Sequence, residues 1–277
     1  MPVSIAHAAS RDGSRSGHGL FVFAWDSWRF IIGGVKRPQT IFRTTRGSLT
    51  IGDTPRIVGT FSSAPETFPH NGELAADVIE LRVDHMPEGS NWLGCAKALQ
   101  ARGVPVIVTI RMKAEGGNWT RPETERLPLI EEALEHVAAV DIELKSKLAG
   151  RVAQAARRRK KACIVSFHDF EKTPGRGRLE RIVEQAQSVG SVIKISTKVR
   201  TGEDSRALAG LLLGRWRKPL CVIGMGAAGT HTRVSFPLFG SCLTYAFLEK
   251  SAAPGQLSAA RLREIFRELL PNYRIRQ

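Results

Sequence analysis

Several short segments of this 277-residue chain set acids, bases and a lysine into otherwise apolar surroundings. Glu80-Leu81-Arg82-Val83-Asp84 spaces three charges two residues apart, and on a strand of period two they share a face. Such charges must either pair with one another or serve a polar site, because unpaired burial is expensive. Thr109-Ile110-Arg111 precedes Glu115-Gly116-Gly117, and Asp141-Ile142-Glu143 repeats the two-residue spacing of acids. Ile193-Lys194-Ile195 flanks a lysine with β-branched residues. A lysine in an apolar strand is disfavoured as an ammonium ion, which leaves an amine able to attack a ketone and form a Schiff base. Ser166-Phe167-His168-Asp169-Phe170 supplies His168, a natural general acid and base. The glycines of Met225-Gly226-Ala227-Ala228-Gly229, followed by Arg233, suit a loop that approaches an anion closely. Residues 250–256 suit a turn that closes over a site.

Positioning these groups requires a regular scaffold, and the chain has one. Apolar, β-branched runs recur at 56–61, 77–83, 105–110, 140–144, 162–167, 191–195, 220–225 and 243–248, with starts 21 to 35 residues apart. Runs apolar nearly throughout suit strands buried on both faces, as in parallel sheets. The gaps carry helical periodicity at 91–102, 121–137, 179–189, 205–213 and 258–269. Eight such units predict an α/β fold, a (β/α)8 TIM barrel with an N-terminal hairpin. A doubly wound open sheet is the alternative, but Gly59-Thr60-Phe61-Ser62 after the first run is not a Gly-rich phosphate turn. Each chemistry-bearing segment falls at the end of a run or just after it, where barrels gather functional groups.

Composition bounds the remaining choices. The chain is 42% hydrophobic and 24% charged, which suits a soluble globular protein. No apolar run is long enough to span a bilayer. Cys95, Cys163, Cys221 and Cys242 form no CxxC pair and read as core residues of a reducing compartment, with neither disulfide nor zinc site. The net charge of +15 raises the question of an anionic partner. Seven basic residues against two acidic ones lie within residues 1–50, and Arg157 through Lys161 form a basic run. That run reads as a solvated helix end, with no nucleic-acid motif beside it. Residues 1–46 are rich in Ser, Gly and Arg, and the apolar patch Leu20–Trp25 is too short for a secretory signal. They are expected to be a dispensable disordered extension, or residues upstream of the true start, ahead of a catalytic barrel over 47–277.

In this order, the quoted motifs together with Ala253-Pro254-Gly255-Gln256 resemble the type I 3-dehydroquinate dehydratases, from about Leu49 to the C-terminal helix. The resemblance implies a cytoplasmic homodimeric barrel enzyme with no metal and no cofactor. Its partner would be a small-molecule substrate, 3-dehydroquinate, and neither nucleic acid nor membrane. Matched by motif, Lys194 would form an imine with the C3 ketone. His168 would help make and break the carbinolamine, take a proton from C2 and return one to the departing C1 hydroxyl. Glu80, Arg82, Arg111, Arg233 and Gln256 would hold the substrate, with Arg233 on its carboxylate. Asp141 would orient His168, Glu143 would sit close to the lysine and histidine, and Glu115 would brace the rim. One position departs from the family pattern. Ala252 stands where a Ser is usual, with Ser251 one place earlier, which weakens the grip on substrate and leaves the covalent chemistry intact. Two further readings are another Schiff-base barrel, such as an aldolase, and a non-catalytic relative that binds a related hydroxy acid. The Glu80/Arg82 and His168 set weighs against the first, and the intact Lys194 and His168 weigh against the second.

Overall fold

Apolar runs become strands where both faces are covered, and here all eight are. The computed structural model describes residues 37–68, 74–251, 255–270 and 273. The chain opens with an antiparallel hairpin, β1 (Thr40–Arg43) and β2 (Ser48–Ile51). It then passes through β3 (Arg56–Phe61), β4 (Val78–Arg82), β5 (Val106–Thr109), β6 (Ala139–Glu143), β7 (Ala162–Asp169), β8 (Val192–Lys198), β9 (Leu220–Met225) and β10 (Leu243–Phe247). These eight are parallel, in the order β10-β3-β4-β5-β6-β7-β8-β9. The sheet all but closes on itself. The Cys242 N–H donates to Leu220 O at 2.9 Å, and the Val222 N–H donates to the Ser241 hydroxyl at 2.9 Å. The result is the expected eight-stranded barrel. Its helices are α1 (Trp92–Ala101), α2 (Arg126–His136), α3 (Ala149–Arg158), α4 (Arg176–Val189), α5 (Gly202–Leu212), α6 (Thr232–Leu238) and α7 (Ala259–Leu269). The basic run after α3 is a helix end, with Lys160 at φ 56° in the left-handed region that stops the helix.

The two-residue period sorts side chains into two cores. Outward residues such as Ile79, Leu81, Val108, Val140, Ile142, Ile193 and Ile195 pack under the helices. Inward residues at the N-terminal half of the barrel, including Val58, Val78, Ile107, Ile164, Val192 and Leu243, pack with one another. One step further along the strands the inward positions turn polar: Thr60, Glu80, Thr109, Asp141, Ser166 and Lys194 are all buried. The apolar half is a floor and the polar half is a site.

The hairpin moves the boundary expected between residues 46 and 47. That boundary falls inside the β1–β2 turn, and residues 37–46 belong to the described fold. Phe42 is fully buried and joins Leu49 and Ile51 against the barrel floor. The Thr45 hydroxyl donates to Gln100 O at 2.6 Å. The Arg37 guanidinium donates to Gly240 O and Phe239 O, each at 2.8 Å. The expected disorder of residues 1–36 lies outside the described residues. Phe42→Ala is expected to lower stability by about 3–5 kcal/mol, the usual loss for a fully buried Phe. A urea melt reads this directly, and an unchanged midpoint would show that the hairpin does not close the floor.

Candidate active site

Lys194 lies mid-strand on β8, inward because Ile193 and Ile195 take the outer face. Its stem is buried. Nζ is 3.5 Å from Asp141 Oδ2 and 3.9 Å from Glu80 Oε1, and it lies 3.8 Å above the centre of the Tyr245 ring. The surroundings read as apolar from sequence are therefore two carboxylates and an aromatic face, a setting complementary to a cation at Nζ. Glu80 is held on both oxygens, by the Thr60 hydroxyl at 3.0 Å and the Thr109 hydroxyl at 2.8 Å.

His168 follows on the inward face of β7, the neighbour of β8. Its Nδ1 is 3.1 Å from Glu115 Oε2, and its backbone N–H donates to the same oxygen at 3.2 Å. Burial, reinforced by Arg111, Lys194 and other nearby cations, holds the imidazole well below the usual histidine range, so it is a neutral base at pH 7. Burial also pushes the Glu115 carboxyl up to about 7 against the pull of Arg111. Phe170 stacks on the imidazole at 6.1 Å. A Cβ on Gly116 would collide with the Phe170 ring at 2.3 Å, and Gly116 has φ +75°, so that turn requires glycine.

The remaining acids are placed otherwise than expected. Asp141 does not meet His168. Its Oδ1 accepts from Arg111 at 2.6 Å and from the Ser166 hydroxyl at 2.6 Å, while Oδ2 faces Lys194. The partner of His168 is Glu115, expected only to brace the rim. Glu143 sits behind the centre. It pairs with Arg126 at 2.8 Å and Arg111 at 3.4 Å, and accepts the Met112 N–H at 2.9 Å. The physical reason is the stagger of the barrel: Thr109 registers with Asp141 and Ser166 with Lys194. Asp141 therefore falls between Arg111 and Lys194, while the turn after β5 carries Glu115 across to His168. Arg111, expected to hold substrate, is engaged by Asp141, Glu143 and Ser166, which hold its guanidinium firmly charged despite burial. Arg82 donates to both oxygens of Asp84, at 3.0 and 2.8 Å.

Arg233 is buried, and among the described residues its partners are two carbonyls, Gly255 O at 3.1 Å and Tyr245 O at 2.8 Å; burial lowers its pKa to about 10. Gln256 follows Gly255, half-buried. Ala252 lies outside the described residues. Arg126 has no place in the sequence reading. It is fully buried beneath α2 and donates to Ile110 O at 2.6 Å and to Glu143. Nothing in its sequence setting distinguishes it from a solvated helix arginine. Tyr245 was also missed, although its spacing from Leu243 marks it as inward. The assembly offers a buried lysine, a neutral imidazole with its own carboxyl partner, and a guanidinium that, among the described residues, has no carboxylate partner and lies beside Gly255. Such a set brings a potential nucleophile next to a potential acid and base.

A sequence model of the family described as Type I 3-dehydroquinase matches residues 58–271. The 3-dehydroquinate dehydratase of Methanococcoides burtonii is 33% identical over 227 residues, covering 79% of this chain and 96% of its own. Among solved structures, the 3-dehydroquinate dehydratase of Geobacillus kaustophilus superposes with a TM-score of 0.74 at 26% identity, covering 85% of this chain and 98% of its own. That of Aquifex aeolicus gives 0.68 at 29% identity, covering 76% and 97%.

Proposed function

The chain belongs to the type I 3-dehydroquinase family, and we propose that it dehydrates 3-dehydroquinate to 3-dehydroshikimate, a step of the shikimate pathway, through an imine on Lys194. The observation that carries this reading is the buried Lys194 amine between Glu80 and Asp141, one strand away from a neutral His168. The amine attacks the C3 ketone, and the carbinolamine loses water to give a protonated imine. With the imine as electron sink, His168 removes a proton from C2, leaving an enamine. The enamine electrons expel the C1 hydroxyl, which leaves as water with the proton returned by His168. Hydrolysis of the product imine frees Lys194. Asp141 and Glu80 suit the positive charge that Nζ carries as an imine, and Glu115 aligns the imidazole. Arg233 takes the carboxylate, and Gln256, with Glu80 and Arg82, takes the hydroxyls. A homodimer acting in the cytoplasm belongs to the same reading.

Purified protein mixed with 3-dehydroquinate should show the ultraviolet absorbance of a conjugated enone growing with time. No enone at high enzyme concentration, with substrate still bound, would favour a non-catalytic relative.

A further inference from the structure

Most cations facing the barrel interior have a carboxylate opposite: Arg82 has Asp84, Arg111 has Asp141 and Glu143, and Lys194 has Asp141 and Glu80. Two do not. Arg233 is bonded, among the described residues, to carbonyl oxygens alone. Lys198 is the second. It ends β8, four residues beyond Lys194 on the same inward face, and is half-buried. Among the described residues no carboxylate pairs with it.

Each of the two lies against one of a pair of stacked glycine turns. Gly226 has φ +84°, and a Cβ there would come within 3.0 Å of the Lys198 ammonium and 3.1 Å of Cε. The lysine stem therefore lies across the bare backbone of this turn. A Cβ on Gly255 would meet Gly226 O at 2.6 Å, so the Gly255 turn rests on the Gly226 turn. The Arg233 Nε–H donates to Gly255 O at 3.1 Å. Lys198 and Arg233 thus flank the pair of stacked glycine turns from either side, and among the described residues the buried Arg233 guanidinium has no carboxylate partner. Burying such a charge is unfavourable until an anion arrives.

We propose that Lys198 is a second binding residue for the carboxylate of the substrate, working beside Arg233. The assignment rests on the dehydratase reading and adds to it a residue chosen for charge. A lysine ammonium serves as a point charge where the arginine fork sets direction.

The test compares parent and Lys198→Met, which keeps the stem and removes the charge, on 3-dehydroquinate and on its uncharged methyl ester. Loss of one charge-assisted contact should raise KM for 3-dehydroquinate about tenfold to a hundredfold, with kcat little altered. KM for the ester should shift less than about twofold. Equal shifts for acid and ester, or none for either, would overturn the proposal. Borohydride trapping of the substrate on Lys194 in both proteins checks the underlying reading separately. Label on Lys198 would overturn both, whereas label on Lys194 with unchanged KM would overturn only the role of Lys198.

Discussion

Replacing Lys194 by methionine should abolish turnover, with kcat falling on the order of 10⁴-fold or more, as when a covalent nucleophile is removed from other enzymes. Methionine fills much of the lysine stem, so the packing of Ile193 and Ile195 under the helices is kept. The loss concentrates on chemistry: without an amine there is no imine, and without the imine the C2 carbanion has no electron sink. Asp141 and Glu80 lose a cation, but each keeps other partners. Asp141 retains Arg111 and Ser166, and Glu80 retains Thr60 and Thr109. The variant should therefore fold and bind substrate. Borohydride added during turnover should fix one substrate-derived mass on the Lys194 peptide of the parent and none on the variant. A variant that retained kcat within tenfold would end the covalent mechanism.

The scaffold was legible because its signal is dense. A buried parallel strand is apolar on both faces, so each run stood out, and the run at 162–167 begins where β7 begins. Ends were harder. The run at 191–195 stops at Ile195, yet β8 continues to Lys198. Thr197 is satisfied there by the Thr173 hydroxyl at 2.8 Å, a contact that hydrophobicity cannot reveal. That shortfall hid the inward placement of Lys198. The hairpin was underread for a related reason. Four residues, Thr40–Arg43, carry too little periodicity, and Phe42 acquires its meaning only against the floor of the barrel.

The site was legible as a set and not as a wiring diagram. Period two establishes that Asp141 and Glu143 face inward, but not which base lies across from them, because that depends on the stagger between strands. Asp141 was expected at His168 and stands at Lys194. Glu115 lies off any strand, on a turn whose reach cannot be read from spacing. Arg126 is a charged residue on a helix, where burial is rare. Its place beneath α2 follows from Glu143 and Ile110 O needing a donor between them, a requirement visible only in three dimensions.

His168→Ala should reduce kcat by about 10²- to 10⁴-fold, the usual contribution of a positioned acid and base. Its pH behaviour identifies the partner. The parent should show kcat/KM rising as pH passes about 7 and then levelling, with the limb set by Glu115, whose carboxyl is pushed up to about 7 by burial. Above that point the carboxylate accepts the Nδ1–H of His168, leaving Nε2 as the bare base. Below it the acid is neutral and the imidazole loses its anionic support. His168 cannot set this limb, because burial and the surrounding cations hold it well below 6.5. The two groups act oppositely on stability. Between 4.5 and about 7 the folded chain keeps a proton on Glu115 that the unfolded chain releases. That contribution is complete below 4.5 and is lost as pH rises through 7. Below 6.5 the unfolded chain takes up a proton that buried His168 refuses, so its contribution is lost as pH falls. Glu115→Gln, neutral at every pH, should abolish the inflexion near 7 and hold kcat/KM at the low plateau of the parent. It should also lessen the decline of stability with rising pH. If the inflexion survives in that variant, the limb belongs to another group, and the Glu115–His168 pair is not the base that opens the reaction.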